Sequence, residues 1–295
     1  MHPVIAVVVP MLNAADHLEV LFTSLLSQEF DEPWEIIAVD NGSDDGTANL
    51  ARALLGASPP ANLTRTEVVV VPSPRGYATP RNAGVRAATA PLLAFCDADG
   101  AVDAGWLEAI ARSLGQHPLV ASRKFRTDNV AMRSTDGLWS EQRELFELLG
   151  IPYATTAGLG CTRELFDALG GFDPHFDRGG EDCDFSLRAR FRLGVEPVME
   201  QRAVYWTKVP SRPMRSLFKG YRDGRSQVRL YERHLGQHSE PPSGPAATVR
   251  GLYRALRRLL RWHRRTTQQR VGIAWDAGCL IGRAEWSVRL RVRSF

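Results

Sequence analysis

Cysteine is scarce in this chain and dispersed. Cys96, Cys161, Cys183 and Cys279 form no CxxC pair, which speaks against a zinc site or a disulfide framework and for a reducing compartment. Long apolar runs are also missing. No stretch reaches the roughly 18 to 20 residues needed to span a bilayer, and the longest late candidate, VGIAWDAGCLIG, is short and carries Asp276. The opening MHPVIAVVVP lacks the basic start of a signal peptide and runs straight into a strand-like segment, so a cytoplasmic location is expected. There is no GxxxxGK[ST] loop, and the first turn has no GxGxxG. A P-loop or dinucleotide-binding fold is therefore not expected. No internal repeat is found.

What is present fits an ordinary globular protein: 295 residues, 44% hydrophobic and 24% charged. The net charge of +4 conceals an asymmetry. From Gly244 onward there are twelve arginines and no lysine against Asp276 and Glu285, a net +10. The preceding part has 25 basic and 31 acidic residues, a net −6, so the basic pI belongs to the tail.

The first half alternates strand and helix. VIAVVVP (4–10) is a β-branched run suited to a strand buried on both faces. DHLEVLFTSLLSQ follows with Leu18, Leu21, Phe22 and Leu25 at helical spacing. WEIIAVD (34–40), EVVVVP (67–72) and LLAFCDA (92–98) read as further strands. Helices are expected over 47–56, from Asn82 to Ala88, and over 106–115. This alternation implies crossover units, hence a mostly parallel sheet with helices on both faces. Later, Thr162 looks like a helix cap, 180–194 and 214–234 look helical, and 198–206 looks like a strand. HSEPPSGPA (238–246) reads as a linker.

Acidic residues gather where such strands end, which is where open parallel sheets bind ligands. Asp97 and Asp99, one residue apart in CDADG, can face the same way. Two close carboxylates repel unless a cation lies between them. A hard divalent ion, Mg²⁺ or Mn²⁺, that completes its coordination on a diphosphate fits that need. A solvated turn with Asp99 capping the next helix is the plainer alternative. In VDNGSDDGT (39–47), Asp44, Asp45 and Thr47 suit a helix cap, and Gly42 and Gly46 suit a tight turn. In GGEDCDF (179–185), Glu181, Asp182 and Asp184 are either first-turn acids that favour the helix dipole or include a general base.

Each cluster is weak alone, but the order VVVPMLN, VDNGSDDGT, RGYATPRNAG, FCDADG, GGFD, GGEDCDFSLRAR resembles the family 2 glycosyltransferases, over roughly residues 3–200. The resemblance implies an α/β GT-A fold over 1–210 and a helical extension over 211–237; composition adds a linker over 238–248 and a basic amphipathic tail over 249–295. The resemblance further implies an inverting sugar transfer from a UDP-, dTDP- or GDP-linked donor. Pro10, Leu12, Asp40, Asn41 and Arg75 would hold the nucleotide, with Arg81 and Asn82 nearby. Asp97 and Asp99 would bind the metal and the diphosphate. Asp182 would be the base, with Glu181 orienting the acceptor or the base. Gly158 to Cys161 and GGFD (170–173) would form the floor under the sugar.

Two departures stand out. Leu12 occupies a position where family members often carry an aromatic, and no histidine lies near VYWTK (204–208) to serve as a late metal ligand. Lys208 is a candidate for contact with the diphosphate. A nucleotidyltransferase would need a Gly- and Lys-rich loop where PMLNAADH stands, and a processive synthase would need membrane spans and a QxxRW segment; neither is found. A non-catalytic nucleotide- or glycan-binding relative is the competing reading.

The tail segment ATVRGLYRALRRLLRWHRR places Val249, Leu252, Leu256, Leu259 and Leu260 on one helical face among arginines. Such a helix suits an anionic membrane surface, and peripheral membrane association would suit a lipid-linked or cell-envelope glycan acceptor. A helix packed on the domain is the plainer alternative. Nucleic-acid binding is not expected, because the body is acidic and carries no groove-reading motif.

Overall fold

The structure is a computed structural model that describes residues 2–72, 76–135, 138–176, 179–209, 212–236 and 265–289. The expected linker 238–248, the amphipathic segment 249–264 and Arg75 lie outside the described residues. Contacts divide the chain into two units, Met1–Asp177 with Glu181–Lys208, and Arg178–Gly180 with Val209–Phe295.

In the first unit, β1 (Ile5–Met11) is buried along nearly its whole length. Its alternating side chains divide between two cores. Ile5, Val7, Val9 and Met11 face α1 (Ala15–Leu26) and α4 (Trp106–Leu114). Ala6 and Val8 face α3 (Ala78–Ala87), α5 (Arg163–Ala168) and α6 (Glu181–Leu193). That two-sided burial explains why the sequence offers a continuous apolar run rather than an alternating one. β2 (Trp34–Asp40), α2 (Thr47–Ala57), β3 (Leu63–Val70) and β4 (Leu92–Phe95) complete the regular half.

The main sheet runs in the order β3-β2-β1-β4-β10-β6-β11-β5, where β5 is Ala101–Val102, β6 Leu119–Thr127, β10 Leu159–Thr162 and β11 Val198–Lys208. The pairs β3/β2, β2/β1 and β1/β4 are parallel. Beyond β4 the sheet is mixed: β10 runs antiparallel to both of its neighbours, while β6 and β11 pair in parallel. β7 (Leu138–Gln142) adds to β6, and β8 (Phe146–Leu148) with β9 (Ile151–Tyr153) forms a separate hairpin.

Two elements start earlier than the sequence suggests. β3 begins at Leu63 instead of 67, and α3 begins at Ala78 instead of Asn82. Pro80 falls in the first turn of α3, where its missing N–H breaks no helical bond. Thr162 caps α5 as expected, accepting from Leu165 N at 3.2 Å. In α6, Phe185 and Leu187 are buried but Phe191 and Leu193 are exposed.

The second unit is built on α7 (Pro213–Leu230), which continues into a π-helical turn (Tyr231–Leu235), and α8 (Thr267–Arg289). Ser216 Oγ donates to Val271 O at 2.8 Å, Gly220 faces Trp275 and Gly224 faces Cys279, so the two helices run parallel. Gly278 and Gly282 answer from α8. A Cβ at any of these four glycines would stand 2.1–2.2 Å from a backbone carbonyl oxygen of the other helix. The seam therefore brings backbone against backbone, and only glycine fits it. Among the described residues, no helix is long and apolar enough to cross a membrane.

Candidate active site

The carboxyl ends of β1, β2 and β4 converge with the N-terminus of α6. At the β1 end, Asn13 adopts a left-handed conformation (φ 48°). Its N–H donates to Ser43 Oγ at 2.9 Å, and its Oδ1 accepts from Asp44 N at 3.0 Å. These bonds lock the loop after β1 to the turn after β2. Asp45 serves both following helices: its carboxylate accepts from Ala15 N at the start of α1 and from Thr47 N at the start of α2, each at 3.0 Å. The Thr47 hydroxyl also donates to it, and this bond holds the Asp45 carboxyl below its usual value.

Behind that frame lie Asp40 and Asn41, both buried. Asp40 Oδ2 accepts from Ser43 N at 3.3 Å, and Asn41 Nδ2 donates to Gly76 O at 3.2 Å. Asp40 Oδ1 and Asn41 Oδ1 are buried acceptors that meet no donor among the described residues. Such groups are rare and call for a ligand or an ordered water. Pro10 is half-buried beside them, and Leu12 is 41% exposed.

The DAD segment follows directly on β4. Asp97 N donates to the Tyr205 hydroxyl at 3.0 Å, and that hydroxyl lies 3.3 Å from Asp97 O. Gly100 N closes the turn on Asp97 O at 3.1 Å. A Cβ on Gly100 would stand 2.0 Å from the Tyr205 oxygen, so the buried tyrosine needs a glycine here.

Arg81 ties this turn to α6. Its buried guanidinium donates to Asp97 Oδ1 at 2.6 Å, to Glu181 Oε1 at 3.0 Å and to Tyr77 O at 3.0 Å. Arg81 is on a helix because α3 starts early, and so it points inward rather than riding on a loop.

Of the three acids at the start of α6, only two face this cluster. Asp184 is fully buried and paired with Arg188 at 2.7 Å, and Arg188 also donates to Leu169 O and Gly171 O. Asp182 is half-buried. Its Oδ1 accepts from Cys183 N at 2.8 Å and its Oδ2 from Thr156 N at 3.3 Å. Burial pushes the Asp182 carboxyl up, against the pull of those amides, Arg81 and Lys124. Glu181 is driven up to about 8 by burial and by the Asp182 charge, with Arg81 opposing. Its Oε2 is buried and has no partner among the described residues. Asp99 reaches solvent, yet the surrounding protein and the Asp97 charge raise it; His17 and Lys208 act in the other direction.

Asn82, expected near a nucleotide, has both ends of its amide on Phe172: Nδ2 donates to Phe172 O at 2.7 Å and Oδ1 accepts from Phe172 N at 3.0 Å. It fixes the GGFD turn to α3. Of the expected floor glycines, Gly160 leaves its space to Ile110 of α4, and Gly171 packs against Asn82 and Phe166. Gly158 (φ +80°) borders Ser122 and Tyr205.

The donor set suits a hard divalent cation. Asp97 and Asp99 offer two carboxylates that could hold such an ion, and the upward push of Asp97 on Asp99 is the repulsion that an ion between them would relieve. Among the described residues no third His, Cys, Asp or Glu joins them, so the remaining positions would fall to phosphate oxygens and water.

Lys124, Tyr205, Thr156 and His17 escape the sequence reading. Lys124 had a signal: in LVASRKFRT, Ser122, Lys124 and Arg126 alternate onto one face of a strand. The charges hid the strand itself.

Comparison with known proteins bears on the family and the fold. The family described as Glycosyl transferase family 2 matches residues 6–170, more than half of the chain. Glycosyltransferase AglE of Haloferax volcanii is 24% identical over 246 residues, covering 78% of this chain and 74% of its own length. The chain spans less than half the length of several other curated relatives. The mannosyltransferase PcManGT of Pyrobaculum calidifontis, solved with GDP-Man and Mn²⁺, superposes with a TM-score of 0.63 at 20% identity, covering 95% of this chain and 88% of that one. S. aureus TarS 1–349 with UDP gives 0.56 at 16% identity, covering 99% and 92%. The fold is therefore the GT-A fold.

Proposed function

The chain belongs to glycosyl transferase family 2, and from that premise we propose that it transfers a sugar from a nucleoside diphosphate donor to an acceptor hydroxyl with inversion. The observation that carries this reading is the Arg81 bridge, because one guanidinium joins the DAD turn to the Glu181–Asp182 pair. Pro10, Leu12, Asp40 and Asn41 would take the nucleoside, with Arg75 beside them. The unpartnered Asp40 Oδ1 and Asn41 Oδ1 would accept from base or ribose donors. PcManGT and TarS, solved with GDP-Man and UDP, make such a donor the reasonable class.

Asp182 acts as the base. As the acceptor oxygen bonds to the anomeric carbon, its proton passes to the Asp182 carboxylate. The bond from that carbon to the diphosphate breaks, and its electron pair leaves on the phosphate oxygen. A carboxylate whose pKa is raised by burial is a better proton acceptor than an exposed one. Glu181, held by Arg81, orients the acceptor or the base. Asp97 and Asp99 would hold Mg²⁺ or Mn²⁺, which neutralises charge on the leaving diphosphate when bound.

The acceptor we favour is a lipid-linked or envelope glycan, reached from a membrane surface. On α7, the exposed Met214 and Phe218 stand among the exposed Arg215 and Lys219, a pattern that suits anionic lipid and would add to the basic tail.

A thermal-shift panel of UDP, GDP, dTDP, CMP and ATP, each with and without Mn²⁺, tests the donor reading. One nucleoside diphosphate should raise the melting temperature in a metal-dependent way. No shift with any nucleotide would overturn it. Replacing Arg254, Arg257, Arg258 and Arg261 by Gln should release the protein from anionic vesicles; unchanged partitioning would overturn the membrane reading.

A further inference from the structure

We propose that Lys124 is a positioning residue that holds the Asp182 carboxylate in its ionised, proton-accepting form. The inference rests on the reading of Asp182 as the base and adds the group that prepares it.

Lys124 lies in the middle of β6, paired across the sheet with Tyr205 of β11 and Gln142 of β7. Its side chain is almost entirely buried. A lysine is rarely placed there, because removing an ammonium from water is costly unless it meets acceptors or opposite charge. Here the ammonium donates to Thr155 Oγ1 and lies 5.6 Å from the centre of the Phe146 ring. Thr155 adjoins Thr156, whose N–H holds Asp182 Oδ2 at 3.3 Å. One short loop thus carries both the anchor of the lysine and the amide clamp of the base. Ser186 secures the same loop: its hydroxyl accepts from Ala154 N at 3.1 Å.

The charges around this pair are few. Lys124 feels Asp182 from α6, Asp97 from the end of β4 and Arg126 from its own strand. Asp182 raises its neighbour Glu181 and is itself pulled down by Arg81 from α3 and by Lys124. Arg81 is engaged by Asp97 and Glu181. Among the described residues, Lys124 is then a cation acting on Asp182 that has no carboxylate of its own in hydrogen-bond contact. Burial lowers Lys124 to about 8, so it stays largely protonated at neutral pH.

The direct test is the titration of Asp182 itself, followed by carbon NMR of protein labelled at aspartate Cγ, with Asp182→Asn identifying the signal. Lys124→Met should raise the Asp182 midpoint, because it removes an opposite charge that favours the ionised form. Lys124→Arg should restore it to within a few tenths. Thr155→Val, which removes only the anchor, should shift it in the same direction by less, and it decides the matter if Lys124→Met does not fold. A structural lysine would lower the melting temperature and leave the midpoint in place, and that result overturns the proposal. The base reading fails separately, if Asp182→Asn still releases nucleoside diphosphate from the donor found in the thermal-shift panel.

Discussion

The Arg81 guanidinium meets Asp97 Oδ1 at 2.6 Å and so fastens α3 to the turn after β4. The same side chain holds Glu181 at 3.0 Å, and the three groups stand or fall together. Arg81→Met should destabilise the fold by about 2 kcal/mol, since the buried Glu181 Oε1 and Tyr77 O lose their donor and Asp97 loses its partner. It should also weaken nucleotide binding. Arg81→Lys should rescue little, because a single ammonium cannot replace a fork that reaches two carboxylates. Urea unfolding and a nucleotide titration check both statements.

Glu181 gives stability a definite pH slope. In the folded chain it keeps its proton to about 8, against an ordinary value of 4.5. The folded state therefore binds the proton more tightly than the unfolded one. The stability this contributes is fully present below about 4.5 and is lost as pH rises through the window to about 8. Melting temperature without metal or nucleotide should fall across that window. In Glu181→Gln that part of the slope should vanish.

Gly100→Ala should cost about 2 kcal/mol through overpacking, since the added methyl meets the Tyr205 hydroxyl at 2.0 Å. The displaced tyrosine would release Asp97 N, so metal-dependent nucleotide binding should weaken with stability. Circular-dichroism melts and the nucleotide titration would show the two losses together.

Glu35 separates stability from function. It is fully buried on β2, and its carboxylate accepts from Thr89 N at 2.6 Å, Ala90 N at 2.8 Å and Arg65 at 2.8 Å. Glu35→Gln should lose about 2 kcal/mol, in the range for hydrogen bonds to a charged group. Nucleotide affinity of the folded fraction should stay as in the wild type.

Gly224→Ala should break the seam of the second unit. Its methyl would stand 2.2 Å from Cys279 O, an atom that cannot move aside without moving the helix. Limited proteolysis should cut within 209–295 far faster than in the wild type. Nucleotide binding, which draws on residues of the first unit, should survive.

The regular half of the fold was legible because its signals are local. A run such as VIAVVVP can hardly be anything but a buried strand, and the strand ends carry their acids in plain view. The mixed half was not. β6 holds Arg123, Lys124 and Arg126 among its apolar residues, and β10 is four residues long. Both depend on neighbours far along the chain for their pairing, so no local periodicity announces them. The early start of α3 was missed because Pro80 suggests a boundary, although a first-turn proline is harmless.

The sequence by itself determined the strand–helix alternation and placed acids at Asp97, Asp99, Glu181 and Asp182, since these follow from residue type and spacing, and the order of its motifs carried the resemblance to the family. Only the tertiary structure decided how those acids differ. Asp45 and Asp184 are both aspartates of an acidic cluster at a helix start, yet one braces two helix ends and the other is sealed against Arg188. Glu181 and Asp182 acquire their raised protonation from burial, and their balance from Arg81 and Lys124, which are about 100 and 58 residues away. Charge acts through space and desolvation through packing, and neither is recorded in the order of residues until the chain has folded.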